Sequence, residues 1–321
     1  MHRYAGSVKH LPDGLVTPAD VVVADYLEDS DRLFAWHEEA GGDFVWSAAP
    51  FPGLPWVEAA LGCGVWADHG AGSTRAMAPA GFDGRVPEFR EDNPWVAKML
   101  EFIPALAAQS GGRYPVGVTL MRGIADLLAA LYGGEAFVFR MLDEPGEVRA
   151  VVEKLTDFWI AFGRRLLERL PLFHGGTSSY FYGLWCPGKM IWLQEDAAAL
   201  LSPGLYEEFI YPADCRIADA FEHTAIHLHP SRLIPTGPLT RSGIDVIELH
   251  IDHDGPRAEA LAGHYREVLK AKPLLVWGEV TEADLEFILT QLPRQGLAVN
   301  VMAESAEQAH AIWERAARMG H

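Results

Sequence analysis

The last hundred residues alternate between short apolar runs and amphipathic segments, and the runs are TAIHLH (224–229), DVIELHI (245–251), PLLVWG (273–278) and LAVNVM (297–302). Helices are predicted between them at 257–270 and 281–292, and a capping box of Ser305 and Gln308 begins a last helix. Short apolar strands that alternate with amphipathic helices are typical of a parallel sheet covered by helices on both faces. These residues therefore predict an α/β fold.

The same alternation extends toward the amino terminus. Further strands are predicted at 43–47, 114–120, 178–184 and 190–194, and further helices at 18–39, 93–111, 145–170 and 202–221. Eight predicted strands fit a (β/α)₈ TIM-type barrel, which takes about 250 residues. A doubly wound open sheet is the alternative, but no G-x-G-x-x-G motif follows a strand. We predict one barrel domain over residues 1–321, in which residues 1–90 form an irregular N-terminal extension and a lid.

Composition excludes several classes of protein. The chain has 26 basic and 44 acidic residues and a net charge of −18, which disfavours binding to nucleic acid or to an anionic membrane. Three scattered cysteines indicate a reducing compartment, and neither a signal peptide nor a run of about 20 apolar residues is found. We expect a cytoplasmic protein with a small-molecule substrate, and a homodimer as the default assembly.

Histidines and carboxylates gather at the carboxyl ends of the predicted strands, where a barrel places its active site. His227 and His229 are two residues apart, so both imidazoles lie on one face of their strand. Imidazole and carboxylate groups are ligands of Zn²⁺ and other divalent metals. We predict a metal held by His227, His229 and Glu304, with Glu248 or Asp196 as alternative third ligands. The competing interpretation is that the histidines only form hydrogen bonds to carboxylates.

Catalytic roles are predicted for Asp196, Glu248 and His250, as base, acid or orienting group. His250 could instead be satisfied by Glu248 and Asp252 without any catalytic role. In the absence of a metal, His227 and His229 would join Asp196 as acid–base candidates.

Aromatic and basic residues near the predicted strand ends are candidates for substrate binding. Tyr180, Tyr182 and Trp46 could wall a pocket for a flat or methylated ligand, or they could be core residues. Arg122 or Arg75 could bind a substrate carboxylate, because arginine holds that group with two hydrogen bonds. A surface salt bridge explains either arginine equally well.

Four stretches together resemble the uroporphyrinogen decarboxylase superfamily, namely YPVGVTLMRG (114–123), DEPGEV (143–148), LSPGLYEEFIYP (201–212) and IHLH (226–229). That superfamily includes the decarboxylases and the zinc-dependent methyltransferases that act on corrinoids or thiols. The resemblance covers the chain from about residue 90 to the end, and it implies a (β/α)₈ barrel.

Two departures from the family pattern bear on the reaction. The decarboxylases have an arginine-containing N-terminal loop that holds the acidic tetrapyrrole, whereas residues 45–56 contain no arginine here. The methyltransferases bind zinc through His-x-Cys and a later Cys; His227 matches the histidine, His229 replaces the first Cys, and Met302 to Glu304 occupy the region of the second. With no sulfur ligand, we expect a bound metal to polarise an oxygen-containing group or to orient a methyl donor.

Three functions follow as hypotheses. The first is metal-assisted methyl transfer or demethylation of a small methylated compound, with a corrinoid (cobalamin) protein or tetrahydrofolate as the acceptor. The second is a metal-independent decarboxylase that acts on a carboxylated substrate. The third is a non-catalytic protein that binds a corrinoid or another tetrapyrrole.

Overall fold

The computed structural model describes residues 8–230 and 234–319. Its strands in chain order are β1 (Gly14–Val16), β2 (Gly64–Asp68), β3 (Ser73–Met77), β4 (Gly176–Ser178), β5 (Trp185–Pro187), β6 (Met190–Gln194), β7 (His223–Leu228), β8 (Val246–Ile251), β9 (Leu274–Gly278) and β10 (Leu297–Val301). Its α-helices are α1 (Leu27–Ala40), α2 (Trp56–Ala60), α3 (Pro94–Ser110), α4 (Ile124–Tyr132), α5 (Ala136–Asp143), α6 (Pro145–Arg169), α7 (Pro203–Leu205), α8 (Tyr211–Ala220), α9 (Thr236–Arg241), α10 (Ala258–Leu269), α11 (Glu282–Gln291) and α12 (Ala306–Met319). A π-helical turn, Tyr206–Ile210, joins α7 to α8.

The main sheet has five parallel strands in the order β10-β9-β8-β7-β6, and this confirms the predicted α/β class. Helices separate consecutive strands of the sheet from β6 onward. Isolated parallel bridges join Ala48 to Val116, Val118 to Ser179 and Arg122 to Gln194, in the regions where the remaining barrel strands are predicted. Within the described ranges, no closed eight-stranded barrel is formed.

Three of the predicted strands are wrong. Residues 43–47 form no bridge, and the single bridge in that region is at Ala48, one residue beyond it. Residues 114–120 form only isolated bridges, at Val116 and Val118, and the adjacent Pro115 has no N–H to donate to a continuous ladder. The strand predicted at 178–184 is instead the turn between β4 and β5, which pair as an antiparallel hairpin. Gly183 in this turn has a φ of 61°, which a β-branched strand residue would not adopt.

The N-terminal extension is more regular than predicted. β1, β2 and β3 form an antiparallel sheet, and the predicted helix at 18–39 is two 3₁₀ turns followed by α1. β1 has only three residues and β3 is half exposed, so neither gives a strong apolar signal. Residues 1–7 lie outside the described part of the chain, and the role of the extension as a lid stays a prediction.

Helix boundaries read from capping residues are confirmed. The Asn93 side chain accepts hydrogen bonds from the amides of Trp95 and Val96 at the start of α3. Thr281 forms a capping box with Asp284 at the start of α11. Before α12, the Gln308 backbone N–H donates to Ser305 Oγ at 3.2 Å, but the Gln308 side chain accepts the backbone N–H of Glu304 instead of that of Ser305, so only half of the predicted capping box forms.

The two faces of the main sheet carry different side chains, because successive residues of a strand point to opposite sides. The outer face packs into the large core shared with the helices, through residues such as Ile226, Ile247 and Val276. The inner face packs a smaller apolar cluster of Met190, Trp192, Ala225, Leu275 and Trp277. At the carboxyl ends of the strands, the inner face becomes polar. No described helix is both long enough and apolar enough to cross a membrane.

Candidate metal centre

The polar residues of the inner face lie side by side because of the strand register. Gln194, the last residue of β6, pairs with His227 on β7, and His227 pairs with Glu248 on β8. His229 follows one residue after β7 ends, on the same side as His227. The predicted convergence of His227, His229 and Glu248 is therefore a direct result of parallel pairing.

Asp196 brings a carboxylate to both histidines. It lies at the start of the 3₁₀ turn after β6, and its Oδ1 is 3.3 Å from His227 Nε2 and 3.5 Å from His229 Nε2. These three side chains, called the metal triad below, have ligand atoms that all lie within 4.8 Å of one another.

The spacing of the metal triad suits a shared cation better than direct hydrogen bonds. Two ligands that each lie about 2.0 to 2.2 Å from a tetrahedral zinc ion are about 3.3 to 3.6 Å from each other. The two measured separations, 3.3 Å and 3.5 Å, fall in this range. Asp196 Oδ1 is buried and makes no hydrogen bond within the described residues. The donor set of two imidazoles and one carboxylate therefore fits zinc or a similar divalent metal.

The other polar atoms of the metal triad are held by a second layer of side chains. Glu248 binds His227 Nδ1, and Asp252 Oδ1 lies 2.7 Å from His229 Nδ1. The Gln194 amide donates to Asp196 Oδ2. Carboxylates that hold the far nitrogen of a ligating histidine fix its tautomer and ring orientation, which is common around protein metals.

Burial and opposite charges shift the pKa values of this cluster. His227 is 2% exposed, and burial alone would lower its pKa, but Glu248 and Asp196 outweigh burial and raise the pKa to about 10. Burial raises the pKa of Asp196, yet its interaction with His227 prevails and lowers that pKa to about 2. The pKa of Glu248 is also lowered, because His227 outweighs the cost of complete burial. The site thus stabilises positive charge surrounded by carboxylates.

Two buried acids hold the backbone that carries Asp196. The Asp126 carboxylate accepts the amide N–H groups of Asp196 and Ala197, at 3.2 Å and 2.7 Å. In return, the Glu195 carboxylate accepts the amides of Ile124 and Ala125 at the start of α4. Burial is the main cause that raises the pKa of Asp126, to about 8, and the neighbouring charge of Asp196 adds to it. This exchange fixes the loop after β6 against α4.

His250 lies next to the metal triad. Its Nδ1 is 3.6 Å from Glu248 Oε1, and its Nε2 is 3.9 Å from Asp252 Oδ1. Its ring meets Trp277 edge to face at 4.9 Å between centroids. Gly278 has a φ of 118°, and a Cβ there would lie 2.8 Å from the His250 ring. Only glycine lets this imidazole lie against the end of β9.

Glu304 does not join the cluster, so the structure places the third predicted ligand elsewhere. β10 ends at Val301, and Glu304 is exposed at the start of α12, where its backbone N–H donates to the Gln308 side chain. Asp196, an alternative third ligand in the sequence-based prediction, takes the position beside the histidines.

The predicted basic residues lie apart from the metal triad or are already paired. Arg122 Nη1 lies 3.3 Å from Glu58 Oε1. Burial opposes a charged guanidinium, but Glu58, Asp126 and Asp196 together outweigh it and raise the pKa of Arg122. Arg75 is exposed on β3.

The predicted aromatic residues divide into two groups. Tyr182 stacks on Trp192 at 3.7 Å between ring centroids and lies 5.6 Å from the His227 ring, so it joins the inner apolar cluster to the site. Tyr180 and Trp46 instead line a cavity of about 240 Å³ that also includes Trp277.

Sequence reasoning missed how several residues position the site. It identified Asp252 only as a partner of His250, whereas Asp252 Oδ1 lies 2.7 Å from His229 Nδ1. Gln194 could be found as the last residue of a predicted strand. Asp126 lies inside α4, and nothing in the local pattern separates it from an ordinary first-turn acid.

Comparison with known proteins finds no family model that matches this chain and no matching curated protein.

Proposed function

We propose that this chain is a metal-dependent enzyme whose centre is the metal triad of His227, His229 and Asp196. The observation that carries the proposal is the convergence of His227 Nε2 and His229 Nε2 on Asp196 Oδ1, at 3.3 Å and 3.5 Å. The far nitrogen of each histidine already has a carboxylate partner, so the near nitrogens are oriented toward a common point.

The reaction we propose is methyl transfer from, or demethylation of, a small methylated compound, with a corrinoid protein or tetrahydrofolate as the acceptor. The resemblance to the uroporphyrinogen decarboxylase superfamily supports this choice. The absence of sulfur among the described ligands departs from the pattern of its methyltransferases, and it favours an oxygen-containing methyl donor over a thiol. When bound, a divalent cation would act as a Lewis acid toward an oxygen-containing group.

The side chains around the metal triad have separate tasks in this proposal. Glu248 and Asp252 orient the two histidines, and Gln194 orients Asp196. His250 is 11% exposed and is not bonded to either histidine, so it can donate a proton to the oxygen that loses its methyl group. In this reaction the methyl carbon–oxygen bond would break, the methyl group would pass to the cob(I)alamin co-substrate, and the oxygen would take the proton of His250 and leave as a hydroxyl.

We also propose that the main sheet belongs to an incompletely paired (β/α)₈ barrel. The bridges from Ala48 to Val116 and from Val118 to Ser179 follow the chain order that such a barrel requires. The parallel order from β6 to β10 continues that sequence.

The decarboxylase hypothesis receives less support from the geometry. It requires an arginine that anchors a substrate carboxylate near the reacting groups. Arg122 already faces Glu58, and Arg75 is exposed on a different sheet.

The proposed function is tested by measuring methylcobalamin formation from cob(I)alamin and a panel of methyl ethers. Protein purified without chelators should be active, should lose activity after chelation, and should regain it with zinc. His227→Ala should abolish activity. His223→Ala is the matched control, because His223 lies on the same strand but outside the cluster. Absence of methylcobalamin across the panel, with zinc bound, would contradict methyl transfer.

A further inference from the structure

The cavity beside the metal triad has walls built mainly from aromatic rings. We call it the aromatic cavity; it is lined by Phe44, Trp46, Tyr180, Phe181 and Trp277, together with small and apolar residues from α1, β10 and α12. Trp277 is the direct link to the site, because it pairs in register with His250 and meets the His250 ring at 4.9 Å. The aromatic cavity and the metal triad therefore share the inner face of the sheet.

The rings of the aromatic cavity are held in place by other rings. Trp46 meets Tyr114 edge to face at 4.9 Å and contacts Phe34 at 5.9 Å. Trp277 meets Tyr182 edge to face at 5.5 Å and Phe181 at 6.4 Å. Walls fixed in this way present a preformed apolar surface, which lowers the entropy cost of ligand binding.

The size of the aromatic cavity matches one substituted ring. Its volume is about 240 Å³. An engineered protein cavity of about 150 Å³ is known to admit benzene, so the additional space here accommodates one or two small substituents. A neighbouring cavity of about 510 Å³ shares Phe44, Asn300 and Ala303 with it, so one ring fills the ring-walled part and not the whole space.

The charges near the aromatic cavity favour an uncharged ligand. None of the described lining residues is Asp, Glu, Lys or Arg, and the ring of His37 is engaged with the Phe44 carbonyl at 2.7 Å. An anion would have no Lys or Arg side chain in the described lining to offset its desolvation. A cation would be attracted by the rings but would have no acidic side chain in the described lining to offset its desolvation. Asn300 supplies one amide that can bond to an oxygen substituent.

We propose that the aromatic cavity binds a small, uncharged, single-ring aromatic compound with an oxygen substituent, of the methoxybenzene class. Its ring packs against Trp277 and Phe181, and aromatic contact supplies affinity and orientation. That this compound is the substrate of the enzyme rests on the proposed function. The binding itself requires only the walls of the cavity.

The test is calorimetric titration of the full chain, with and without zinc, using methoxybenzene as the probe. Benzoate, tetramethylammonium and cyclohexyl methyl ether are the comparison ligands, which are anionic, cationic and non-aromatic. We expect saturable binding of methoxybenzene, at one site per chain, in both metal states and clearly tighter than that of the three comparison ligands.

Two cavity variants and one control variant make the test specific to this cavity. Phe181→Leu keeps apolar volume but loses a ring, and should weaken binding about 2- to 10-fold. Phe139→Leu is the matched control, because Phe139 is 63% exposed on α5, and it should bind as the wild type does. Ala303→Phe places a ring inside the cavity and should abolish binding, with a thermal melt that shows a folded protein.

Several results would overturn the inference. These are no binding of methoxybenzene, equal binding of cyclohexyl methyl ether, tighter binding of benzoate or tetramethylammonium, or equal effects of Phe181→Leu and Phe139→Leu. The proposed function is tested separately by zinc: ring binding without zinc binding would leave this inference standing and remove the metal centre. Zinc binding without binding of methoxybenzene would leave the metal centre standing and overturn this inference.

Discussion

His227 Nε2 on β7 and Asp196 Oδ1 in the turn after β6 lie 3.3 Å apart, while the opposite nitrogen of His227 is bound to the buried Glu248. The imidazole therefore stands between two carboxylates, and only one of them is in close hydrogen-bond contact. The distance from His227 Nε2 to Asp196 Oδ1 equals that between two ligands of one tetrahedral ion. This relationship, repeated between His229 and Asp196 at 3.5 Å, is the basis for the metal centre.

Glu248→Gln should weaken zinc binding about 10- to 100-fold, because Glu248 orients His227 and increases its basicity without being a ligand of the metal triad. Competition with a chromogenic chelator measures the change. Glu222→Gln is a suitable control, since Glu222 lies just before β7 and bonds to the Lys189 backbone N–H. Equal zinc affinities of the two variants would show that Glu248 does not support the site.

Gly278→Ala should destabilise the fold by about 1 to 3 kcal/mol, because residue 278 has a positive φ and its Cβ would press on Ile251 and His250. Urea unfolding measures the free energy of unfolding. Gly263, inside α10, is the control position, because a Cβ there would have no neighbour within 4 Å. Gly263→Ala should stabilise the protein by about 0.5 to 1 kcal/mol. Similar destabilisation by both variants would contradict this account of Gly278.

Asp214 gives stability a specific dependence on pH. It is fully buried and accepts a hydrogen bond from Tyr206 Oη at 2.6 Å, and burial is the main cause that raises its pKa to about 7 from 3.8. Between pH 4 and pH 7 the folded state holds a proton that the unfolded state releases. The stabilisation is therefore complete at the lower pH and is lost as the pH rises through 7.

Asp214→Asn removes this titration while it keeps an acceptor for Tyr206. The free energy of unfolding of the wild type should fall relative to that of the variant as the pH rises from 4 to 7, with one pKa unit corresponding to about 1.4 kcal/mol. Chemical unfolding at several pH values measures the difference. A constant difference over this range would mean that Asp214 titrates normally.

The sequence predicts the part of the fold in which local signals agree with tertiary packing. β6 to β10 are apolar, regularly spaced and bounded by capped helices, so both their existence and their parallel order could be inferred. The segments at 43–47 and 114–120 have similar composition, but their pairing depends on long-range contacts such as that of Ala48 with Val116. β1 and β3 are too short or too exposed to show a strand pattern.

The candidate site could be predicted to the extent that strand periodicity determines it. The spacing of two places His227 and His229 together, and register adds Glu248. The choice between Asp196 and Glu304 depends on how each chain segment leaves its strand. After β6 a short turn, held by Asp126, returns Asp196 to the histidines, whereas Glu304 lies in the exposed segment just before α12. The local sequence around Asp196 and Glu304 does not predict that difference.

The metal content of the purified chain is the most direct test of the metal centre. Untagged wild-type protein, His223→Ala and the double variant His227→Ala/His229→Ala should be purified without chelators, dialysed against zinc, and analysed for metal. We expect about one zinc ion per chain in the wild type and in His223→Ala, and none in the double variant. A wild type that stays free of metal after zinc is supplied, or a double variant that keeps its zinc, would contradict it.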